Sequence, residues 1–184
     1  MTLFSRKRKS LNRQFPYIVE ALADLPEGTI VDGELVALAD SGRPNFSLLL
    51  NFRSEASRIH FYIFDLLCCN DCDLTRLPLS ERRALLKALV VIRDKKIRIS
   101  DHVKAAATDL LSAVREQRLE GIVGKRMDSV YEPGMEEMEE CSQGRVSTIL
   151  PAHPHKGGRE GADIAKLLWL SSRLAFGRFR NFLT

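Results

Sequence analysis

His60-Phe61-Tyr62-Ile63-Phe64-Asp65-Leu66-Leu67 is apolar nearly throughout. A run of this kind reads as a strand buried on both faces, since it lacks the polar alternation of a strand with one wet face. Just downstream, Cys69-Asn70-Asp71-Cys72 has the C-x-x-C spacing of a redox pair or half a zinc site. No second such pair exists, and His60, His102, His153 and His155 lack zinc-ligand spacing. Asn-Asp directly after an apolar strand reads more simply as a turn.

Upstream, Thr29 to Leu38 is rich in Val, Ile and Leu and reads as a second buried strand, interrupted by Asp32-Gly33-Glu34. Pro16 suits the first turn of a helix over 14–25, with Phe15, Ile18, Val19, Leu22 and Leu25 at helical spacing and Pro26-Glu27-Gly28 ending it. Residues 2–6 read as the end of a strand, Asp40-Ser41-Gly42 as a turn, and Phe46 to Phe52 as a short helix. Beyond the central strand, Ser80 is a candidate N-cap for a helix whose buried stripe is Leu85, Leu86 and Leu89. Ile97 to Ile99 reads as a short strand, and 104–118 as a helix with Ala107, Leu110, Leu111 and Val114 on one face. Glu120 to Arg126 reads as another strand and 131–134 as a loop. Strands and helices intermingle, which fits an α+β or α/β domain.

After Gly134 the character changes. Met135 to Glu140 is an acidic run, and 142–161 mixes His, Pro, Gly and basic residues without periodicity. A boundary near 134 is expected, with a divergent tail over 135–184 that is partly disordered and holds a helix over 163–183, weakened by Gly177. The chain of 184 residues suffices for one domain with a real core, or one domain plus a tail. Its net charge of +4, with pI near 9.0, tolerates a polyanionic partner without demanding one. No stretch approaches the apolar length of a membrane span, and no apolar segment follows the basic Arg6 to Lys9. The expected location is therefore cytoplasmic.

Taken singly, the residues that could carry chemistry are ambiguous. Asp32-Gly33-Glu34 puts carboxylates inside an apolar strand, either around a bulge at Gly33 or because they bind something. Phe64 is either core packing or a ligand platform. Glu120, with Lys125 and Arg126 at the far end of its strand, could serve metal and phosphate, or could mark two solvated strand ends.

In order along the chain, however, these landmarks resemble one family. Ser5-Arg6, Phe15-Pro16, Asp32-Gly33-Glu34-Leu35, Gly42-Arg43-Pro44-Asn45-Phe46, Phe61 to Leu67, the Leu77-Pro78-Leu79-Ser80-Glu81-Arg82-Arg83 helix start, and Glu120-Gly121-Ile122-Val123-Gly124-Lys125-Arg126 followed by Tyr131-Glu132-Pro133-Gly134 are similar to the adenylation domain of ATP-dependent DNA ligases. The bacterial end-joining type is the nearest flavour. RNA ligases and capping enzymes fit less well at Phe64-Asp65 and Gly42 to Phe46. The resemblance covers residues 1–134 and implies an incomplete α+β adenylation core of the DNA ligase and mRNA-capping nucleotidyltransferase type, ATP-grasp-like. It implies ATP and Mg²⁺ or Mn²⁺ as cofactors and nicked or broken double-stranded DNA as partner. By the same resemblance Phe64 stacks on adenine, Glu34 contacts the ribose, Glu120 binds the metal, and Arg6 lies near the nucleotide or the DNA 5′-phosphate. Lys125 and Arg126 belong to the motif without an assigned role.

Family chemistry starts from a lysine, in a K-x-D-G-x-R segment, that attacks the α-phosphate of ATP. No such segment stands in these 184 residues: the one Asp-Gly, at Asp32-Gly33, follows Ile30-Val31. The K-x-K motif expected after 134 is also missing, since neither Lys156 nor Lys166 stands in one. A departure at each end is what a truncated or frame-shifted gene gives. The expectation is a chain inactive by itself, with a non-catalytic nucleotide- or DNA-binding module, or a gene remnant, as alternatives.

Overall fold

A computed structural model describes residues 1–5, 7–90, 94–101 and 123–132, and the backbone at 147–148, 166–167 and 179–180. Its centre is an antiparallel pair, β1 (Ile30–Ala37) and β2 (Ile59–Cys69). Val31, Leu35 and Ala37 of β1 and Ile59, Phe61, Ile63 and Leu66 of β2 all enter one hydrophobic cluster. Around it wrap α1 (Pro16–Ala21), which contributes Ile18, and α2 (Phe46–Leu50), which contributes Leu49. Pro16 occupies the first turn of α1 as expected, but the helix stops at Ala21 and continues as turns rather than to 25. Asn45 caps α2, its Oδ1 accepting from Ser47 N at 2.9 Å.

The turn after β2 is as the sequence indicated. Asn70 and Asp71 have φ of +48° and +60°, so the two-residue connection to β3 (Cys72–Asp73) has positive φ at both central positions, as in a type I′ turn. Cys69 and Cys72 face each other across it as free thiols. Gly28 meets the same turn: its φ is +64° and an added Cβ would lie 2.5 Å from Asp71 N. On the same side of β2, β4 (Ile97–Ile99) pairs in parallel with Phe61 to Ile63.

Helix α3 (Leu79–Leu89) departs from the expected pattern. Its N-cap is Pro78, with no side-chain cap, and Ser80 lies inside the helix. The orphan donors of the first turn are met instead by distant carbonyls: Leu79 N bonds Ser129 O at 2.9 Å and Ser80 N bonds Met127 O at 2.8 Å. The buried stripe is Leu79, Arg82, Arg83 and Leu86, while Leu85 is 44 % exposed. Leu89 packs at the cluster's edge.

At the N-terminus, Phe4 and Ser10 form an isolated bridge around a tight turn rather than a strand over 2–6. The expected strand over 120–126 is, among the described residues, β5 (Val123–Gly124). It pairs with β6 (Ser147–Thr148) and β7 (Lys166–Leu167). The free edge of β1 is covered by β8 (Phe179–Arg180), paired with Asp32 and Gly33. Strand pairing at 166–167 and 179–180 replaces, at those four residues, the helix expected over 163–183. The expected helix over 104–118 and the acidic run of 135–140 lie outside the described residues. Among the described residues no helix is long and apolar enough to cross a membrane.

Candidate functional site

Side chains alternate across a strand, so with Val31, Gly33, Leu35 and Ala37 turned to the core, Asp32 and Glu34 share the opposite face of β1. Both are buried, at 1 % and 5 % exposure. Tyr62 stands directly opposite Glu34 and therefore on that same face. Arg98, beside Tyr62 on β4, donates to its hydroxyl at 3.0 Å and lies 5.6 Å from its ring centre.

The decisive local feature is a break in register. Asp32 pairs with Asp65 and Gly33 with Ile63, which leaves Phe64 as the extra residue of a β-bulge. The expected bulge is present, but the extra residue belongs to β2, not to Gly33. Gly33 is needed for contact instead, since an added Cβ would lie 2.6 Å from Phe61 Cζ and 2.6 Å from Tyr62 O. The bulge shifts the phase of β2: Ile63 and Leu66 both point into the core, while Phe64 and Asp65 fall outside that cluster. Phe64 is 3 % exposed, with the Lys125 ammonium 5.0 Å above its ring.

Two buried arginines of α3 hold this bulge. Arg82 forms a bidentate pair with Asp65, Nε to Oδ1 and Nη2 to Oδ2, each at 2.8 Å. Its remaining nitrogen donates to Leu77 O at 2.6 Å and Ser129 O at 3.2 Å. Arg83 donates to Phe64 O at 2.8 Å and to Ser100 O. Burial lowers the Arg83 pKa, opposed by Asp65 and Asp101. The sequence marks both arginines only as part of the Leu77–Arg83 landmark, with no role of their own, although Leu79, Arg82, Arg83 and Leu86 stand at the i, i+3, i+4, i+7 spacing of a buried face.

Glu34, Phe64 and Lys125 thus come together on one face of the sheet. Arg126 does not join them. It is paired with Asp128 through Nε at 2.9 Å and through Nη2, which raises the arginine pKa and lowers that of Asp128. Arg6 and Glu120 lie outside the described residues. Among the described residues no three His, Cys, Asp or Glu side chains assemble a metal site. A separate cavity of about 640 Å³, bordered by Tyr17, Glu20, Asp94 and Lys96, shares none of the residues above. Desolvation there pushes the Tyr17 phenol to about 12.

Residues 1–139 match the family model of the ATP dependent DNA ligase domain. The chain belongs to the ATP-dependent DNA ligase family. It is 35% identical over 131 residues to the multifunctional non-homologous end joining protein LigD of Mycolicibacterium smegmatis, covering 71% of this chain and 17% of that protein. It is 32% identical over 176 residues to DNA ligase C2 of the same organism, covering 86% of this chain and 49% of that one. Coverage of 86% is too long to fit within 1–139, so part of the tail also aligns with a ligase. Among solved structures, mycobacterial DNA ligase D complexed with ATP and MES is similar, with a TM-score of 0.58 and 31% identity over 72% of this chain and 44% of that one. The ligase fold is thus the α+β nucleotidyltransferase core that the sequence indicated. This chain spans from about a sixth to about half the length of these curated ligases.

Proposed function

We propose that this chain is the nucleotide-binding body of a DNA ligase adenylation domain, holding the adenosine of ATP or AMP on Phe64 and Glu34 for strand joining on broken double-stranded DNA. The observation that carries this reading is one sheet face that holds the Phe64 ring with the Lys125 ammonium over it and the buried Glu34 carboxylate. An adenine stacked on Phe64 replaces the Lys125 ammonium at the ring, exchanging a cation–π contact for base stacking of about 1–3 kcal/mol. Glu34 accepts a hydrogen bond from a ribose hydroxyl, and the displaced Lys125 is then free to face phosphate. Arg6 near the nucleotide or 5′-phosphate, and a divalent metal at Glu120, belong to the same proposal; the described residues alone provide no metal site. With no K-x-D-G-x-R among these 184 residues, the chain by itself binds nucleotide without forming a lysyl-adenylate.

Equilibrium dialysis of the 184-residue chain with AMP and with ATP tests this. Saturable binding is expected, weakened about tenfold or more by Phe64→Ala, the loss of one stacking platform. Glu34→Ala should weaken it as well. Absence of binding, or binding indifferent to both substitutions, rejects the reading. In parallel, label from α-labelled ATP that survives denaturation would reject the claim that these residues lack a nucleophile.

A further inference from the structure

We infer that Arg82 is a positioning residue for the nucleotide site, one guanidinium fixing both the Phe64 platform and the lysine above it. The inference rests on the nucleotide reading only for its consequence in binding. Arg82 is 2 % exposed and Asp65 is fully buried, so their bidentate pair is neither screened by water nor loosened by it. Asp65 follows Phe64 directly, and its Oδ1 also accepts from Leu66 N at 2.9 Å. The carboxylate is therefore held from two sides, and the bulge with it.

The same guanidinium reaches the other half of the site. Arg82 Nη1 donates to Ser129 O, and its guanidinium carbon lies 5.9 Å from the Tyr131 ring centre. Ser129 O also takes Leu79 N, Met127 O takes Ser80 N, and Tyr131 N bonds Thr75 O at 2.8 Å. The 126–131 segment is in this way fastened to the start of α3, and Lys125 is the residue immediately before it. A lysine at position 82 could meet Asp65 but could not span the carboxylate and two carbonyls at once, because only the planar fork presents donors in fixed directions.

The test uses the whole chain carrying Asp65→Leu together with Arg82→Met, which removes both charges and leaves none unpaired in the interior. Far-UV circular dichroism checks that it folds. A lysine side chain over an aromatic ring has upfield-shifted methylene resonances, so NMR of Lys125 reads the contact directly, with Phe64→Leu as the zero. The folded double variant is expected to lose most of that shift and to bind AMP about tenfold more weakly, a cost in keeping with small misplacement of a binding group. If the shift survives in a folded double variant, the inference is overturned. Should that variant not fold, Arg82→Lys is read by the same criterion. A wild-type chain that shows the shift but binds no AMP defeats the nucleotide reading alone, and the shift then decides the role of Arg82.

Discussion

Gly33→Ala should be among the most damaging single-methyl additions to this chain. The new Cβ would lie 2.6 Å from Phe61 Cζ, 3.0 Å from Phe61 Cε1 and 2.6 Å from Tyr62 O. Carbon contacts are comfortable near 3.5–4.0 Å, so roughly an ångström of movement is required. Neither neighbour yields easily. Phe61 is fully buried in the main cluster, and its N–H is tied to Lys96 O at 2.7 Å. Tyr62 O belongs to the backbone of β2, bonded on one side to β1 and on the other to β4. Overpacking of this kind costs about 1–3 kcal/mol, and a clash with fixed backbone belongs at the upper end.

Urea unfolding followed by circular dichroism measures that loss. Gly42→Ala is the control: its φ of +75° strains an alanine, but nothing lies within 4 Å of the new Cβ. In a Phe61→Leu background the ring contacts vanish and the Tyr62 O contact remains. Gly33→Ala should therefore cost less there, with a coupling energy of about 1 kcal/mol or more. A Gly33→Ala loss under about 0.5 kcal/mol, or strict additivity with Phe61→Leu, would refute the steric account.

The Asp65–Arg82 pair gives a second test of stability. Arg82→Met alone should cost about 3–5 kcal/mol by stranding a buried carboxylate, whereas Asp65→Leu/Arg82→Met should be more stable than either single variant in the same urea assay. For His60, burial together with Arg98 and Lys96 outweighs the Lys95 O hydrogen bond and Asp94, and the pKa falls below its usual value. The unfolded chain then binds the proton first, so the His60 contribution is complete above the ordinary histidine pKa and lost as pH falls through the folded one. His60→Gln should flatten that part of the stability profile, and an unchanged acid-side slope would contradict it. Asn45→Ala removes the cap on α2 and should cost about 1 kcal/mol in thermal unfolding, while Asn45→Asp should cost little.

Much of this was legible because local composition determined it. β1 and β2 are named by their Val, Ile, Leu and Phe content and the 70–71 turn by Asn-Asp, while α2 starts at Phe46 as expected but ends at Leu50 rather than Phe52. The misreading at α3 has one physical origin. Its first-turn donors are satisfied by Met127 and Ser129, more than forty residues downstream, so no capping side chain is needed and Ser80 is free to be an ordinary helical residue. Long-range pairing also hid the partner of β1, since nothing in the mixed tail distinguishes Phe179–Arg180 from its neighbours. As for the site, Glu34, Phe64 and Lys125 were visible as motif residues, but the register that brings Asp65 and Arg82 beside them depends on a bulge. A strand buried on both faces gives no alternation from which to read one.

The bulge also explains why α3 buries two arginines in a stripe that elsewhere would be leucine. The register shift falls at Phe64, in an interior closed to water where every carbonyl must be met. Arg83 donates to the Phe64 carbonyl at 2.8 Å, and extends the same bridge to Ser100 O just past the end of β4. Alternation from Ile63 already sets Phe64 outside the core cluster, and the phase shift carries Asp65 out of it too, as a charge that would be costly if unpaired. Arg82 neutralises that charge. Leucines at both positions would remove the donor to the Phe64 carbonyl and leave the buried Asp65 carboxylate without its bidentate partner. The arginines are thus the structural counterpart of a bulge that puts Asp65 on the same side as Phe64 and restores Leu66 to the core.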